Sequence, residues 1–418
     1  MTSSKPLISV LVPTRDRPDL LRLCLSSLLP QQADFEVIVS DNFTRSSAAL
    51  EVEALGADAR FRYLRPPNPL TMADNWEFAF QHARGDLIVT LIDKTLLLPS
   101  ALARLTTAAQ TSDSEIFSWW SDFYVPVDEA IGYEQGYYSP QYRATMPTQL
   151  DAQQCLSDRL SFATPIAQEG TKYFTAKPCF GAYRRALTAR IAEKTGRLFH
   201  PSSPDFTTGI MALALTSTVY DMGRPLLLSI LSERSNGMKV AQSAAAAKQF
   251  VAQDSQALAS APIQGLYASV HNQLAADYVA TMRKLSQAYV PAPRLLERLV
   301  SAVTQDLSAT TWETKTDRFD QWSRLKSFAK KHRIQSVALD QAPGLAFPLE
   351  SLISAVGLAA QLLPHSNNQI NNHLITRARE EARKSSVSIY EATYKKFDSP
   401  LQACYFGDAH YGDNMAAG

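Results

Sequence analysis

The sequence has no excess of charge of either sign. Lysine and arginine together number 41, against 40 aspartate and glutamate residues, in a chain of 418. A protein that binds nucleic acid usually carries a basic patch that raises its net charge, so this balance argues against nucleic acid as a partner. With 45% hydrophobic residues, the chain is long enough to form two or three globular domains.

Cysteine motifs and long apolar runs are also missing. The four cysteines, none of them in a CxxC pair, are Cys24, Cys155, Cys179 and Cys404. This spacing favours buried or free thiols in a reducing compartment over disulfides or a zinc site. The longest apolar candidate, residues 346–364, is interrupted by polar residues and stays short of the ~20 apolar residues of a spanning helix. Since no signal-peptide cleavage site follows the N-terminus, we expect a cytoplasmic protein.

The first hundred residues alternate between two kinds of segment. "LISVLVP", "FEVIVSD", "RFRYLR" and "DLIVTLID" have the composition of strands, whereas "RPDLLRLCLSSLL" and "MADNWEFAFQHARG" have helical periodicity. Strands separated by helices of this length are typical of an α/β fold with a mainly parallel, doubly wound sheet. Ligands of such sheets bind outside the carboxyl ends of the strands. The polar residues at those ends are Thr14, Arg15, Asp16, Asp41, Asn42, Asp93, Lys94 and Thr95.

The pattern loosens after residue 112. "EIFSWW" predicts a strand, a stretch rich in tyrosine, glycine and proline follows, and "SSPDF" predicts a helix start near Pro204. "TVYDMGRPLLLSILSERSNG" suggests a pair of strands joined at "MGRP". After Gly237 the β-rich runs largely stop and helical segments follow, including residues 373–397. The tail from Gly407 is small and polar, so we expect it to fray.

Several segments together resemble family 2 glycosyltransferases, which have the GT-A fold. They are "SVLVPTRDRPDLLRLCLSSLL", "FEVIVSDN", "DNWEFAFQHARGDLIVTLID", "GAYRR" and "SPDF", and they occur in the order typical of the family. The resemblance covers roughly residues 5–240. It implies a GT-A nucleotide-sugar domain over residues 1–240, followed by an all-helical domain over 241–418.

The resemblance implies transfer of a sugar from a nucleotide-sugar donor to the hydroxyl of a saccharide or lipid-linked acceptor, with inversion. Surface polysaccharide or glycoconjugate synthesis is the implied context. The attacking hydroxyl must lose a proton, and a carboxylate can accept it. The resemblance implies that Asp205 is this base. It lies at a helix start, where the helix dipole favours an ionised carboxylate, although an aspartate there can also serve the helix alone. Pro204 replaces the first member of the acidic pair that such enzymes usually have.

The donor site is expected at the strand ends. The resemblance implies that Asp41 contacts the nucleoside, although a carboxylate there can also serve only to cap a turn. Cations near a departing diphosphate are needed when charge develops on it. The full set of donor candidates is Thr14, Arg15, Asp41, Asn75, Asp93, Lys94, Arg184 and Arg234.

The acidic motif of the family is depleted in this chain. The usual two or three carboxylates are replaced by Asp93, Lys94 and Thr95. One carboxylate can still hold Mg²⁺ or Mn²⁺ together with phosphates and water, so Asp93 is the metal candidate if a metal is used. Lys94 would repel a dication and could itself supply positive charge to the diphosphate. We therefore expect weak or no metal dependence.

An acceptor subsite is suggested by aromatic residues between the donor motif and the base. Aromatic faces stack on sugar rings, although paired tryptophans are common in cores. The acceptor candidates are Trp119, Trp120, Tyr124 and His200.

Two other classes of protein fit parts of the pattern. One is a catalytically degenerate GT-A protein that only binds a nucleotide or a partner, which the depleted acidic motif favours. The other is a nucleotidyltransferase, although "PTRDRPD" lacks the glycine-rich phosphate loop that such an enzyme needs. Three roles fit the helical region: assembly into a homo-oligomer, peripheral association with the inner face of a membrane, or acceptor placement.

Overall fold

The structure is a computed structural model that describes residues 6–56, 58–162, 169–201, 203–232, 234–252, 258–286, 293–335 and 395–413. The predicted apolar segment at 346–364 lies outside these residues. So does most of the helix predicted over 373–397.

The first part of the chain alternates strands and helices as expected. The elements are β1 (Ile8–Thr14), α1 (Pro18–Leu28), β2 (Phe35–Asp41), α2 (Ala49–Glu53), β3 (Phe61–Leu64), α3 (Met72–Gln81) and β4 (Leu87–Thr90). β1 pairs in parallel with β2 and with β4, and β2 pairs in parallel with β3. Both β1 and β2 are buried along their whole length, as strands covered by helices on two faces must be. Their carboxyl ends therefore meet at one edge of the sheet.

The middle of the chain extends this sheet with strands of mixed direction. Its elements are β5 (Thr95–Leu97), α4 (Ala101–Thr111), β6 (Ile116–Pro126), β7 (Gly136–Ser139), β8 (Thr148–Asp151), α5 (Ala152–Leu160), β9 (Gly181–Arg184), α6 (Arg185–Thr195), α7 (Pro204–Ala214) and β10 (Thr218–Ile230). β9 lies between β4 and β6 and runs antiparallel to both. The predicted α/β sheet flanked by helices, with a parallel centre from β1 to β4, is confirmed, and β5, β7, β8 and β9 add antiparallel pairings to it.

After Asp93, Thr95–Leu97 forms β5 and pairs with β10 before α4 begins at Ala101. One local expectation is wrong. "MGRP" does not separate two strands. β10 passes through it as one strand, and its pairing with β6 shifts register between Asp221 and Leu227. A β-bulge of this kind absorbs Pro225, which cannot donate to a ladder.

Helices dominate after Gly237, as predicted. They are α8 (Asn236–Gln242), α9 (Ala244–Val251), α10 (Val270–Lys284), α11 (Pro293–Ala309) and α12 (Lys315–Lys331). α10 packs against α7 and α11, and α11 packs against α12. Leu299 and Val303 of α11 belong to the same hydrophobic cluster as Ile210 and Leu213 of α7. The helical region and the sheet region therefore share a core.

The end of the described chain returns to the sheet. β11 (Lys396–Phe397) pairs with β7, and α13 (Pro400–Asp413) packs against α1, β5, β7 and β10. The tail expected to fray from Gly407 is helical to Asp413. In the part of the chain that the structure describes, no helix is long and apolar enough to cross a membrane.

Candidate active site

The carboxyl ends of β1, β2 and β4 bring three of the predicted residues together. Thr14 is opposite Asp41 in the β1–β2 register. The Thr14 hydroxyl donates to Asp93 Oδ2 at 2.8 Å, which joins the ends of β1 and β4. All three side chains are buried. The sheet thus places two carboxylates at the edge where ligands of such folds bind.

Asp41 is bonded through one carboxylate oxygen only. Its Oδ2 accepts hydrogen bonds from the Ala48 amide at 2.7 Å and from the Tyr63 hydroxyl at 2.9 Å. Its Oδ1 is buried and has no hydrogen-bond partner among the described residues. A buried acceptor without a partner is costly, and the N–H of a base or a ribose hydroxyl would satisfy it. The turn-capping role and a ligand role are compatible, since they use different oxygens.

Asp93 lies among cations. Its Oδ2 accepts the Thr14 bond and is 3.1 Å from Nε of Arg17. Burial raises the pKa of the Asp93 carboxyl, and the charges of Arg17, Lys94 and Arg234 oppose that rise. Arg17 was not predicted from the sequence, because it has no motif of its own; it lies between β1 and α1, as the residue directly before the helix.

Lys94 and Arg234, which lie in different loops, both act on the Asp93 carboxylate. Lys94 Nζ donates to the Ser235 hydroxyl at 3.0 Å, and burial, followed by the charge of Arg17, lowers its pKa. Arg234 is held by Asp19 at 2.6 Å and by Glu129 at 3.4 Å. Lys94 is therefore attached to the loop that precedes the helical region and does not point freely to solvent.

These residues fit a resident divalent metal poorly. In the described part of the chain, no group of three or more histidine, cysteine or acidic side chains could hold a metal ion. Asp93 is the one carboxylate at the end of β4, and one of its oxygens is already occupied by Thr14 and Arg17. The three neighbouring cations would repel a dication.

Asp205 lies in the first turn of α7, directly after Pro204. Its side chain is 25% exposed, and its Oδ2 is 3.7 Å from Nζ of the buried Lys177. The residues at the strand ends, Thr14, Arg17, Asp41, Asp93 and Lys94, are called the strand-end cluster below. A 3₁₀ turn at Pro178–Phe180 contacts both α7, which carries Asp205, and β4, which leads to this cluster. Burial raises the pKa of Cys179 in that turn, and the charges of Asp205, Lys177 and Lys94 all act on it. The turn at Pro178–Phe180 therefore lies near both the base candidate and Lys94.

Arg184 is not part of this site. β9 runs antiparallel to β4, so Arg184 is opposite Leu87, the first residue of β4. That position is at the edge of the sheet remote from the strand ends of the site. The guanidinium donates to the carbonyls of Ala109, Ser112 and Ser114. The prediction that Arg184 binds the donor is wrong because strand direction could not be read from the sequence.

The three predicted acceptor aromatics are core residues. Trp119 and Trp120 are each 2% exposed, and Tyr124 is fully buried. The Tyr124 hydroxyl donates to the carbonyl of Tyr133. Long apolar strands that are covered on both faces place such residues inside. With these side chains buried in the described structure, their contact with an acceptor stays a prediction.

Three other candidates make bonds within the protein. Asn75 donates to the carbonyls of Thr14 and Ser40 and accepts from the Ser40 hydroxyl, so it joins β1 to β2. His200 is buried between Thr195 and Lys284, and burial lowers its pKa to about 4. Arg15 is exposed and donates to the carbonyl of Leu70 at 3.4 Å. Of these, Arg15 alone remains accessible at the strand-end edge.

The comparison with known proteins finds a family model for the first part of the chain. Residues 9–189 match the family model "Glycosyl transferase family 2". The predicted resemblance to family 2 glycosyltransferases is thereby confirmed over these residues, which include β1 to β9.

Two curated proteins are similar over a shorter region. The O-antigen biosynthesis protein RfbC of Myxococcus xanthus is 38% identical over 111 residues, which is 25% of this chain and 8% of that protein. The uncharacterised protein y4gI of Sinorhizobium fredii is 31% identical over 110 residues, which is 25% of this chain and 12% of that protein. The similarity thus spans about a tenth of the length of these relatives.

Solved structures that match this chain include those of S. aureus TarS. The crystal structure of TarS 1–349 in complex with UDP-GlcNAc has a TM-score of 0.43 and 13% identity, covering 97% of this chain and 92% of that chain. A second TarS crystal structure has a TM-score of 0.42 and 13% identity, covering 97% of this chain and 55% of that one.

Proposed function

We propose that this protein is an inverting glycosyltransferase that moves a sugar from a nucleotide-sugar donor to an acceptor hydroxyl. The observation that carries the proposal is the strand-end cluster: two buried carboxylates beside Arg17 and Lys94, each with an oxygen that has no hydrogen-bond partner among the described residues. A nucleoside diphosphate has the matching groups, since its base and ribose donate hydrogen bonds and its phosphates are anionic.

The donor would extend along this cluster. Asp41 Oδ1 would accept from the nucleoside, and Lys94 would lie beside the diphosphate. Positive charge near the diphosphate stabilises the leaving group as the bond to the anomeric carbon breaks. Lys94 and Arg17 would provide that charge from the chain itself, so no step of the proposed reaction needs a metal.

Asp205 would act from the start of α7. As the acceptor oxygen attacks the anomeric carbon, its proton moves to the Asp205 carboxylate and the diphosphate leaves with the bonding electron pair. Attack opposite the leaving group inverts the configuration at that carbon. Asp205 is suited to this because it is partly exposed and because the turn at Pro178–Phe180 lies near both it and Lys94.

The biological context that fits is synthesis of a surface polysaccharide or glycoconjugate. The family 2 match and the local similarity to an O-antigen biosynthesis protein support it. The acceptor would then be a saccharide or a lipid-linked saccharide.

Asp205→Asn tests the proposal. We expect transfer to fall by roughly 10²–10⁴-fold, the usual contribution of acid–base catalysis, while nucleotide affinity is kept. Release of nucleoside diphosphate from a panel of nucleotide sugars and acceptors measures this. Asp158→Asn, which changes an acid on α5 that pairs with Lys172, is the matched control and should transfer normally. Transfer by Asp205→Asn at the wild-type rate would remove Asp205 from the mechanism.

The second candidate function is nucleotide binding without catalysis, which the single acidic residue at the end of β4 favours. It predicts tight nucleotide binding and no product with any donor and acceptor. Release of pyrophosphate in the same assay would instead identify a nucleotidyltransferase.

A further inference from the structure

Lys177 is a buried lysine whose ammonium group makes no hydrogen bond within the described chain. Its side chain is 1% exposed, and Nζ has no hydrogen-bond partner there. The rings of Tyr173 and Phe206 lie 3.4 and 3.5 Å from Nζ, measured to the ring centroids. Asp205 Oδ2, at 3.7 Å, forms its ion pair. The rings exclude water from the ammonium group, so its charge acts on Asp205 with little screening.

The backbone is built to hold Lys177 against α7. Gly209 is one helical turn after Asp205, and a Cβ at that position would lie only 2.8 Å from the Ala176 carbonyl oxygen. Ala176 itself has a φ of 59°, a left-handed conformation that is uncommon for a residue with a side chain. Strained backbone of this kind persists where the surroundings determine it, often at functional sites.

The electrostatic surroundings of Lys177 make its charge sensitive to alkaline pH. Burial lowers the pKa of its ammonium group to about 8. The other groups that act on it are Asp205, Cys179 and Glu169, which favour the charged form, and Arg159, which opposes it. Lys177 therefore loses its charge within the range over which enzyme rates are commonly measured.

We propose that Lys177 is a positioning residue for sugar transfer, which holds the Asp205 carboxylate towards the acceptor through their ion pair. The inference rests on the proposed function. Lys177 exchanges no proton in the reaction. The acceptor proton goes to Asp205, the acceptor oxygen bonds to the anomeric carbon, and the diphosphate leaves with its electrons. The ammonium group fixes the direction of the carboxylate from its buried side.

The proposal predicts a particular pH profile. Transfer by the wild-type chain should decline with an apparent pKa near that of Lys177, about 8. Lys177→Met should lower kcat by roughly 10–100-fold, as misplaced catalytic groups do, with an unchanged KM for the donor. It should also abolish the alkaline decline. Lys177→Arg should restore much of kcat without the decline, because arginine does not titrate there.

The matched control is Lys172→Met, which removes an exposed lysine of the same segment that pairs with Asp158. It should keep the wild-type rate and profile. Adding Lys177→Met to Asp205→Asn should cost nothing further, since the lysine acts through the carboxylate. An unchanged pH profile of transfer in Lys177→Met would overturn the proposal. So would the same loss of kcat from Lys177→Met in the wild-type chain and in the Asp205→Asn variant.

A readout that is independent of activity separates the two proposals. Unfolding free energies of the two single variants and the double variant should show a coupling between Lys177 and Asp205. If the wild-type chain transfers no sugar from any donor, the proposed function fails, and coupling still decides whether the pair interacts. Additive effects on unfolding would refute the ion pair on which the inference depends.

Discussion

At the scale of single residues, the site is defined by two carboxylates that use only one of their two oxygens in hydrogen bonds within the described chain. Asp41 and Asp93 are fully buried, and each uses Oδ2 within the protein while Oδ1 has no partner among the described residues. An unpaired buried polar atom destabilises the folded state by about 1–3 kcal/mol, which a ligand that completes the bond recovers. The two atoms therefore favour a bound ligand over the free protein.

Asp41→Ala should weaken binding of a free nucleoside diphosphate by about 1–3 kcal/mol, because the hydrogen bond from the nucleoside to Oδ1 is lost. Calorimetric titration of the full chain measures this. Asp58→Ala is the control, since Asp58 pairs with Arg60 before β3, at the other edge of the sheet. A lower melting temperature with unchanged affinity would leave Asp41 with its turn-capping role alone.

Sequence reasoning located these carboxylates because strand ends are readable from apolar runs. It did not find Arg17 or Lys177, whose roles depend on which side chains the fold brings beside them. It also did not show that the aromatics Trp119 and Tyr124 are buried, since a buried strand and an acceptor platform have the same composition. Contact between distant segments is the information that the sequence alone does not show.

At the scale of elements, the parallel half of the sheet was predictable and the antiparallel half was not. Buried strands alternating with amphipathic helices identify β1 to β4. The direction of β9 depends on the route of the chain from β8, which periodicity does not record. The return of α13 to the sheet was also unforeseen, because residues 396–413 show no sign of a partner in their own sequence.

The attachment of α13 involves a titrating group. Asp122 of β6 is buried, and burial raises its pKa to about 7. It accepts hydrogen bonds from the Tyr138 hydroxyl and the Gln141 amide, and Tyr411 of α13 also acts on it. The folded state therefore binds a proton that the unfolded state releases near pH 4.

A pH dependence of stability follows. The contribution of Asp122 is fully present below its unfolded pKa and is lost as the pH rises through about 7. Between pH 6 and pH 8 the wild-type chain should lose about 1 kcal/mol of unfolding free energy relative to Asp122→Asn, which cannot titrate. Denaturant unfolding at the two pH values measures the difference. Parallel pH profiles for the two proteins would show that Asp122 stays ionised when folded.

At the scale of the whole molecule, the sheet and the helices after Gly237 do not have separate cores. Ile210 and Leu213 of α7 cluster with Leu274 and Tyr278 of α10. The sequence predicted a division near residue 240 from the change in composition. Composition marks where strands stop, but it does not show what the following helices cover.

A chain truncated after Gly237 should therefore fail to fold cooperatively. Each large apolar side chain left uncovered forfeits about 1.5–3 kcal/mol, so a few of them exceed the ~5–15 kcal/mol stability of a typical protein. Size-exclusion chromatography and thermal melting test this, with a chain ending at Asp413 as the control. A monomeric truncated chain that melts cooperatively and binds nucleotide would establish an independent first domain.

The central claim is that the strand-end cluster binds a nucleoside diphosphate with charge from the chain itself. The most direct test is calorimetric titration of nucleoside diphosphates into the full chain in EDTA. We expect saturable binding in EDTA, no gain from Mg²⁺ or Mn²⁺, and a loss of roughly 10–100-fold in affinity for Lys94→Ala, the usual value of a charged hydrogen bond. Binding that requires Mg²⁺ or Mn²⁺ and is indifferent to Lys94 would contradict the account.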